Sequence, residues 1–146
     1  LEKDVERVKP KVVSVVHNET STGTTYPAAE VARIVKRHGA LFMLDTVSSL
    51  AGLDVRTDEW GVDLNMTGSQ KCLAAPLGMA IVSVSPAAWE AMEQRKHKAS
   101  SWAYDLLRWK ENWIPTSRGG HIPGATPRRQ PLSLARLIRT LASRRW

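Results

Sequence analysis

Cysteine is nearly absent from this 146-residue sequence: Cys72 is the only one, so no disulfide can form within the chain. A single cysteine also lacks the paired spacing of a structural zinc site, and no metal is expected. A chain without disulfides fits a reducing compartment, here read as the cytoplasm. Long apolar runs are missing too. No stretch approaches the roughly 20 residues that span a bilayer, so no membrane association is expected. Residues 1–11 are charged and mixed, unlike a signal peptide. There is no initiator Met and the sequence opens in mid-element, which reads as sequence missing upstream. Internal repeats are also lacking.

Acidic residues are missing from one region only. The net charge of +7 suggests nucleic acid until its distribution is examined. Residues 1–117 hold fourteen Lys and Arg against fourteen Asp and Glu. The excess comes from Arg118, Arg128, Arg129, Arg136, Arg139, Arg144 and Arg145, in a stretch with no acid. The charge therefore describes a tail, and no nucleic-acid partner is expected.

What remains is a globular composition, 42% hydrophobic and 24% charged, long enough to bury a core in one domain. The first 99 residues alternate strands and helices. Lys11–Val16 is β-branched and reads as a buried strand. A polar loop, His17–Tyr26, precedes Pro27, which suits a first helical turn. Ala28–Arg37 continues that helix, with Val31, Ile34 and Val35 on one face and Gly39 placed to end it. Leu41–Leu44 is a second strand ending at Asp45, Asp63–Thr67 a short third and Met79–Val84 a fourth, with Gly68–Lys71 forming a turn after the third. Ser85 and Pro86 start a helix through about Lys96, with Trp89 and Met92 on one face. Met66 and Met79 read as core. Trp102–Trp113 has the spacing of an amphipathic helix, whose Trp stripe reads as packing or a subunit contact. From Pro115 onward Pro, Gly and Arg dominate. Apolar strands alternating with helices predict an α/β fold: a mostly parallel sheet flanked by helices, with an irregular basic C-terminal tail.

In parallel sheets, ligands collect at the carboxyl ends of strands. Thr20, Asp45 and Lys71 each follow a predicted strand, which groups them. An amine in a partly desolvated pocket loses its proton more readily and can attack a carbonyl, the chemistry open to Lys71. Asp45 ends an apolar strand. Taken alone it reads as an N-cap for the next segment; taken with a buried cation, such as a pyridinium nitrogen, it reads as that cation's partner. His17 reads as a hydrogen-bonded loop histidine, His38 as a helix C-terminal residue, and Cys72 as a small packing residue.

Three segments in order, His17–Gly23 (HNETSTG), Leu44–Leu50 (LDTVSSL) and Gly68–Lys71 (GSQK), resemble the class V aminotransferases. The similarity points to the alanine–glyoxylate and serine–pyruvate group, and the 26-residue interval from Asp45 to Lys71 is part of it. It covers residues 5–113, the middle of the family's large domain. The resemblance implies pyridoxal 5'-phosphate as cofactor, with Lys71 as the Schiff-base lysine and proton carrier at the substrate α-carbon. Asp45 would pair with the pyridine nitrogen, Val47 would pack on the ring, Gln70 would reach the phosphate, and Thr20 would hydrogen-bond the ring's 3-oxygen. The implied reaction is transamination between a small amino acid, alanine or serine, and a keto acid such as glyoxylate or pyruvate. A homodimeric full-length parent is also implied.

The sequence departs from the family's pattern in three respects. The glycine-containing phosphate loop is expected upstream of Leu1, and the carboxylate-binding arginine in a small domain beyond this chain. Where a Tyr-His-His-Thr-like segment is expected, Arg118–Thr126 has no tyrosine. The expected organisation is a partial aminotransferase large domain over residues 1–114 and a tail over 115–146, either disordered or the product of a shifted reading frame. Two alternatives stay open: a catalytically inactive truncated remnant, and another class V enzyme of desulfurase or lyase type.

Overall fold

A computed structural model describes residues 1–112. Trp113 and the 115–146 tail lie outside the described residues. The first unit, Leu1–Lys98, opens with helix α1 (Glu2–Val8). Strand β1 (Val12–Val16) is followed by a small antiparallel hairpin, β2 (Asn18–Glu19) and β3 (Thr24–Thr25). Helix α2 (Ala28–Arg37), strands β4 (Leu41–Asp45), β5 (Leu64–Gly68) and β6 (Ala80–Val84), and helix α3 (Pro86–Glu93) complete the unit.

The sheet order is β1-β4-β5-β6. The first three strands run parallel, with Val16 beside Asp45 and Asp45 beside Met66. β6 returns antiparallel to β5, because the short turn after Lys71 leaves no crossover helix between them. The sheet is thus mostly parallel, as expected, with one antiparallel edge.

Helix α2 covers one face of the sheet. Ala28, Ala32 and Val35 recur at helical spacing and are buried against Phe42, Leu44, Ala40 and Val62, with Val13, Val15, Val31 and Trp60 packed around them. Gly39 takes φ +71 just past the helix, a conformation that costs other residues about 1–2 kcal/mol. On the opposite face Val12, Val16 and Val82 are exposed.

A polar anchor sits at the amino end of β5. Asp63 is buried and accepts hydrogen bonds from Lys36 Nζ (2.7 Å), Phe42 N–H (2.8 Å) and Ser85 Oγ (2.8 Å). Burial pushes the Asp63 carboxyl up, but the Lys36, Phe42 and Ser85 hydrogen bonds together outweigh it and hold the pKa below the ordinary value. Ser85 Oγ also accepts from Ala88 N–H and so caps α3.

Several boundaries differ from expectation. The segment before Lys11 forms α1, whose mixed charges are solvated on a surface turn. β5 ends at Gly68 rather than Thr67, and α3 stops at Glu93 rather than near Lys96. Met79 is exposed rather than core, because it precedes β6 on the open edge.

A second unit begins at Ala99, and 99–112 are its described residues. Its helix α4 spans Leu106–Asn112, so the expected helix does not start at Trp102. Asp105 Oδ1 accepts from Leu107 N–H at 3.2 Å, a capping contact that sets the start of the helix. Trp102 and Trp109 are exposed. No helix among the described residues is long and apolar enough to cross a membrane.

Candidate active site

Parallel strands β1, β4 and β5 end side by side, so the loops that follow them share one edge of the sheet. Thr20 lies in the hairpin turn after β1, Asp45 and Val47 at the end of β4, and Gln70 and Lys71 in the turn after β5. All five sequence-predicted residues therefore stand on that edge.

The three loops are linked by side chains distant in sequence. His17 is buried, and its Nδ1 lies 3.0 Å from Ser49 Oγ. Its ring meets Trp60 edge to face at 5.7 Å. Burial holds the His17 pKa below its usual value. Thr20 Oγ1 and Ser48 Oγ are 2.5 Å apart. Cys72 Sγ donates to the Ser48 carbonyl at 3.3 Å. Gly52 makes room for that thiol, since a Cβ there would come within 2.8 Å of Cys72 Sγ.

Asp45 is half-buried, and its Oδ1 accepts from Val47 N–H at 2.9 Å. This local turn matches the capping reading of Asp45, although no helix follows. Its Oδ2 accepts no hydrogen bond among the described residues, which leaves an anionic oxygen for a cation. Lys71 is exposed rather than in a desolvated pocket, because its turn lies at the open edge of the sheet. Gln70 is exposed too, with its amide folded back over Gly68: a Cβ on Gly68 would meet Gln70 Oε1 at 2.6 Å.

Sequence reasoning missed Glu19. Ser21 donates to its Oε1 from both N–H (2.9 Å) and Oγ (2.8 Å). These two bonds lower the Glu19 pKa, burial opposes them slightly, and the positive charge of Lys71 adds to the lowering. An acidic group thus faces the lysine from the β1 side. The cue was the pattern Glu-x-Ser, whose side-chain-to-backbone turn is local.

Two of the loops are strained. Ala51 (φ 75) and Ala74 (φ 50) are left-handed without being glycine, one in the turn after β4 and the other in the turn after Lys71.

The donor set suits a pyridoxal phosphate ring: an amine, a carboxylate with an open oxygen and a hydroxyl, each from a different strand end. The edge can thus hold a flat, polar ligand against a carboxylate and present an amine to it.

Comparison with known proteins identifies the family. Residues 1–106 match the family model described as aminotransferase class-V. An uncharacterized aminotransferase from Methanocaldococcus jannaschii is 48% identical over 113 residues, covering 77% of this chain and 29% of that protein. A serine–glyoxylate aminotransferase from Arabidopsis thaliana is 48% identical over 88 residues, 59% of this chain and 22% of that one. Among solved structures, the alanine–glyoxylate aminotransferase from Nostoc sp. superposes with a TM-score of 0.73 at 34% identity, covering 77% of this chain and 30% of that chain. The chain spans less than a third of the length of these relatives. With a family match over residues 1–106, the chain belongs to the class V aminotransferases.

Proposed function

We propose that this chain carries the floor of a pyridoxal-phosphate-dependent transaminase site, as part of a longer, homodimeric, cytoplasmic enzyme. It would pass an amino group from a small amino acid, alanine or serine, to a keto acid such as glyoxylate or pyruvate. The convergence of Thr20, Asp45 and Lys71 on one sheet edge, with the open Asp45 oxygen, carries this reading.

Pyridoxal phosphate, when bound, supplies a carbonyl carbon for an amine to attack and a ring that withdraws electrons. Lys71 would be the residue whose Nζ anchors the cofactor through that carbon, and the same amine would carry the proton at the substrate α-carbon. The Asp45 carboxylate would pair with the pyridine nitrogen and keep it protonated. Thr20 would donate to the 3-oxygen, Val47 would cover one face of the ring, and the Gln70 amide would bind the phosphate.

Titrating the purified chain with pyridoxal phosphate tests the reading. A visible absorption band should form with wild type and be absent with Lys71→Ala. No band, or one that survives in Lys71→Ala, overturns it. The exposure of Lys71 favours a second reading, a remnant without turnover, in which this chain binds the cofactor weakly and does not transaminate.

A further inference from the structure

The turn at 46–50 is where the three loops meet, and Ser48 makes two of the links. Its hydroxyl pairs with that of Thr20, 28 residues earlier, and its carbonyl accepts the thiol of Cys72, 24 residues later. The seat of that thiol is shaped by the same turn, because Gly52 leaves the space. Ala51, left-handed between them, shows that the turn keeps this shape against its backbone preference.

A hydroxyl has one proton to give and two positions that accept. In a pair of hydroxyls only one proton is used between them. If Thr20 donated to Ser48, its proton would be spent. If Ser48 donates, the Thr20 proton remains for a third group.

We propose that Ser48 is a positioning residue for the cofactor. It donates to Thr20 Oγ1, which leaves the Thr20 O–H to donate to the 3-oxygen of a pyridoxal ring. Its carbonyl holds the Lys71–Cys72 peptide against the Asp45 turn. This inference rests on the pyridoxal phosphate reading above. Ser48 itself touches neither the ring nor the reacting atoms.

The test uses the full chain with pyridoxal phosphate as probe and Ser48→Ala, Ser48→Thr, Thr20→Val and the double variant Ser48→Ala/Thr20→Val. Every charged group of the three loops, Asp45, Glu19 and Lys71 among them, is unchanged in all four. The readouts are the dissociation constant, the pH midpoint of the Lys71-dependent band, and amide hydrogen exchange of residues 20–25 and 46–50 without cofactor. Ser48→Ala should weaken binding by about 5- to 10-fold, the worth of one hydrogen bond. It should also raise the pH midpoint, because the Thr20 O–H is no longer held toward the 3-oxygen. Ser48→Thr should restore both. In a Thr20→Val background, Ser48→Ala should change neither further. Exchange in 20–25 should quicken in Ser48→Ala and not in Ser48→Thr.

Wild-type affinity and midpoint in Ser48→Ala, or additive effects with Thr20→Val, overturn the proposal. If the wild type forms no Lys71-dependent band, the cofactor reading is what fails. The exchange comparison then still judges the Ser48 link: quickened exchange supports it, and unchanged exchange overturns it.

Discussion

His17 and Ser49 are 32 residues apart in sequence, yet His17 Nδ1 lies 3.0 Å from Ser49 Oγ. The contact ties the end of β1 to the turn that carries Asp45. The imidazole is buried beside Trp60, and burial disfavours its charged form.

This burial makes stability sensitive to acid. The folded-state pKa of His17 lies below its usual 6.5, so the unfolded chain binds the proton more readily. The contribution is fully present above pH 6.5 and is lost as pH falls from there through the lower folded value. Urea melts at pH 7.5 and pH 5 should show wild type losing more stability than His17→Gln. The other three histidines, His38, His97 and His121, are common to both proteins and cancel. Equal losses would remove His17 as the source.

Asp63 is expected to dominate stability at the other end of the sheet. Asp63→Ala leaves Phe42 N–H and Ser85 Oγ without their acceptor and Lys36 without its partner. The expected loss is about 2–4 kcal/mol, with the Lys36 share reduced because that side chain is partly exposed. A lower urea midpoint at unchanged m-value checks it. Because the folded pKa lies below the unfolded 3.8, this stability is present above pH 3.8 and is lost as pH falls through the folded value.

Relieving backbone strain should separate stability from binding. Ala51→Gly and Ala74→Gly remove a left-handed penalty of about 1–2 kcal/mol but add unfolded-state entropy of about 0.4–1 kcal/mol. Each should be slightly more stable to heat. Each should also bind pyridoxal phosphate more weakly, since the turn no longer holds Ser48 and Cys72 in place. Tighter binding in both would contradict a positioning role for the strained turns.

The core gives a control with no link to the site. Phe42 is fully buried under α2, and Phe42→Ala should cost about 3–5 kcal/mol in urea unfolding. A cost below about 1 kcal/mol would show that the layer under α2 is not the core.

A further prediction concerns the coding sequence. The family match ends at residue 106, and no acid follows Glu111. We propose that the tail is read in a shifted frame. Translating the gene downstream in the other two frames should restore a class V continuation. If neither frame does, the proposal is wrong.

What the sequence disclosed follows from how local each signal is. The run Lys11–Val16 and the spacing of Val31, Ile34 and Val35 declare a strand and a helix within a few residues, although the buried face of that helix is Ala28, Ala32 and Val35. Asp45 and Lys71 were visible because Asp45 ends an apolar strand and Lys71 stands in the turn after another. The hairpin of β2 and β3 was not, since two-residue strands leave no periodicity to read. Nor were the links from Ser48 to Thr20 and from His17 to Ser49. Such pairs form only after the sheet has set its strand order, and one serine in a polar loop looks like any other. The Trp102 spacing suggested a longer helix than the one present, because periodicity alone does not locate a cap at Asp105.

β5 holds two different things at its two ends. Asp63 fastens the amino end to α2, β4 and α3, while the carboxyl end delivers Gln70 and Lys71. The strand therefore keeps apart two kinds of selective constraint. Changes around Asp63 can adjust how firmly the domain folds without touching the turn that carries Lys71, and changes beyond Gly68 can reshape that turn without unfastening the sheet.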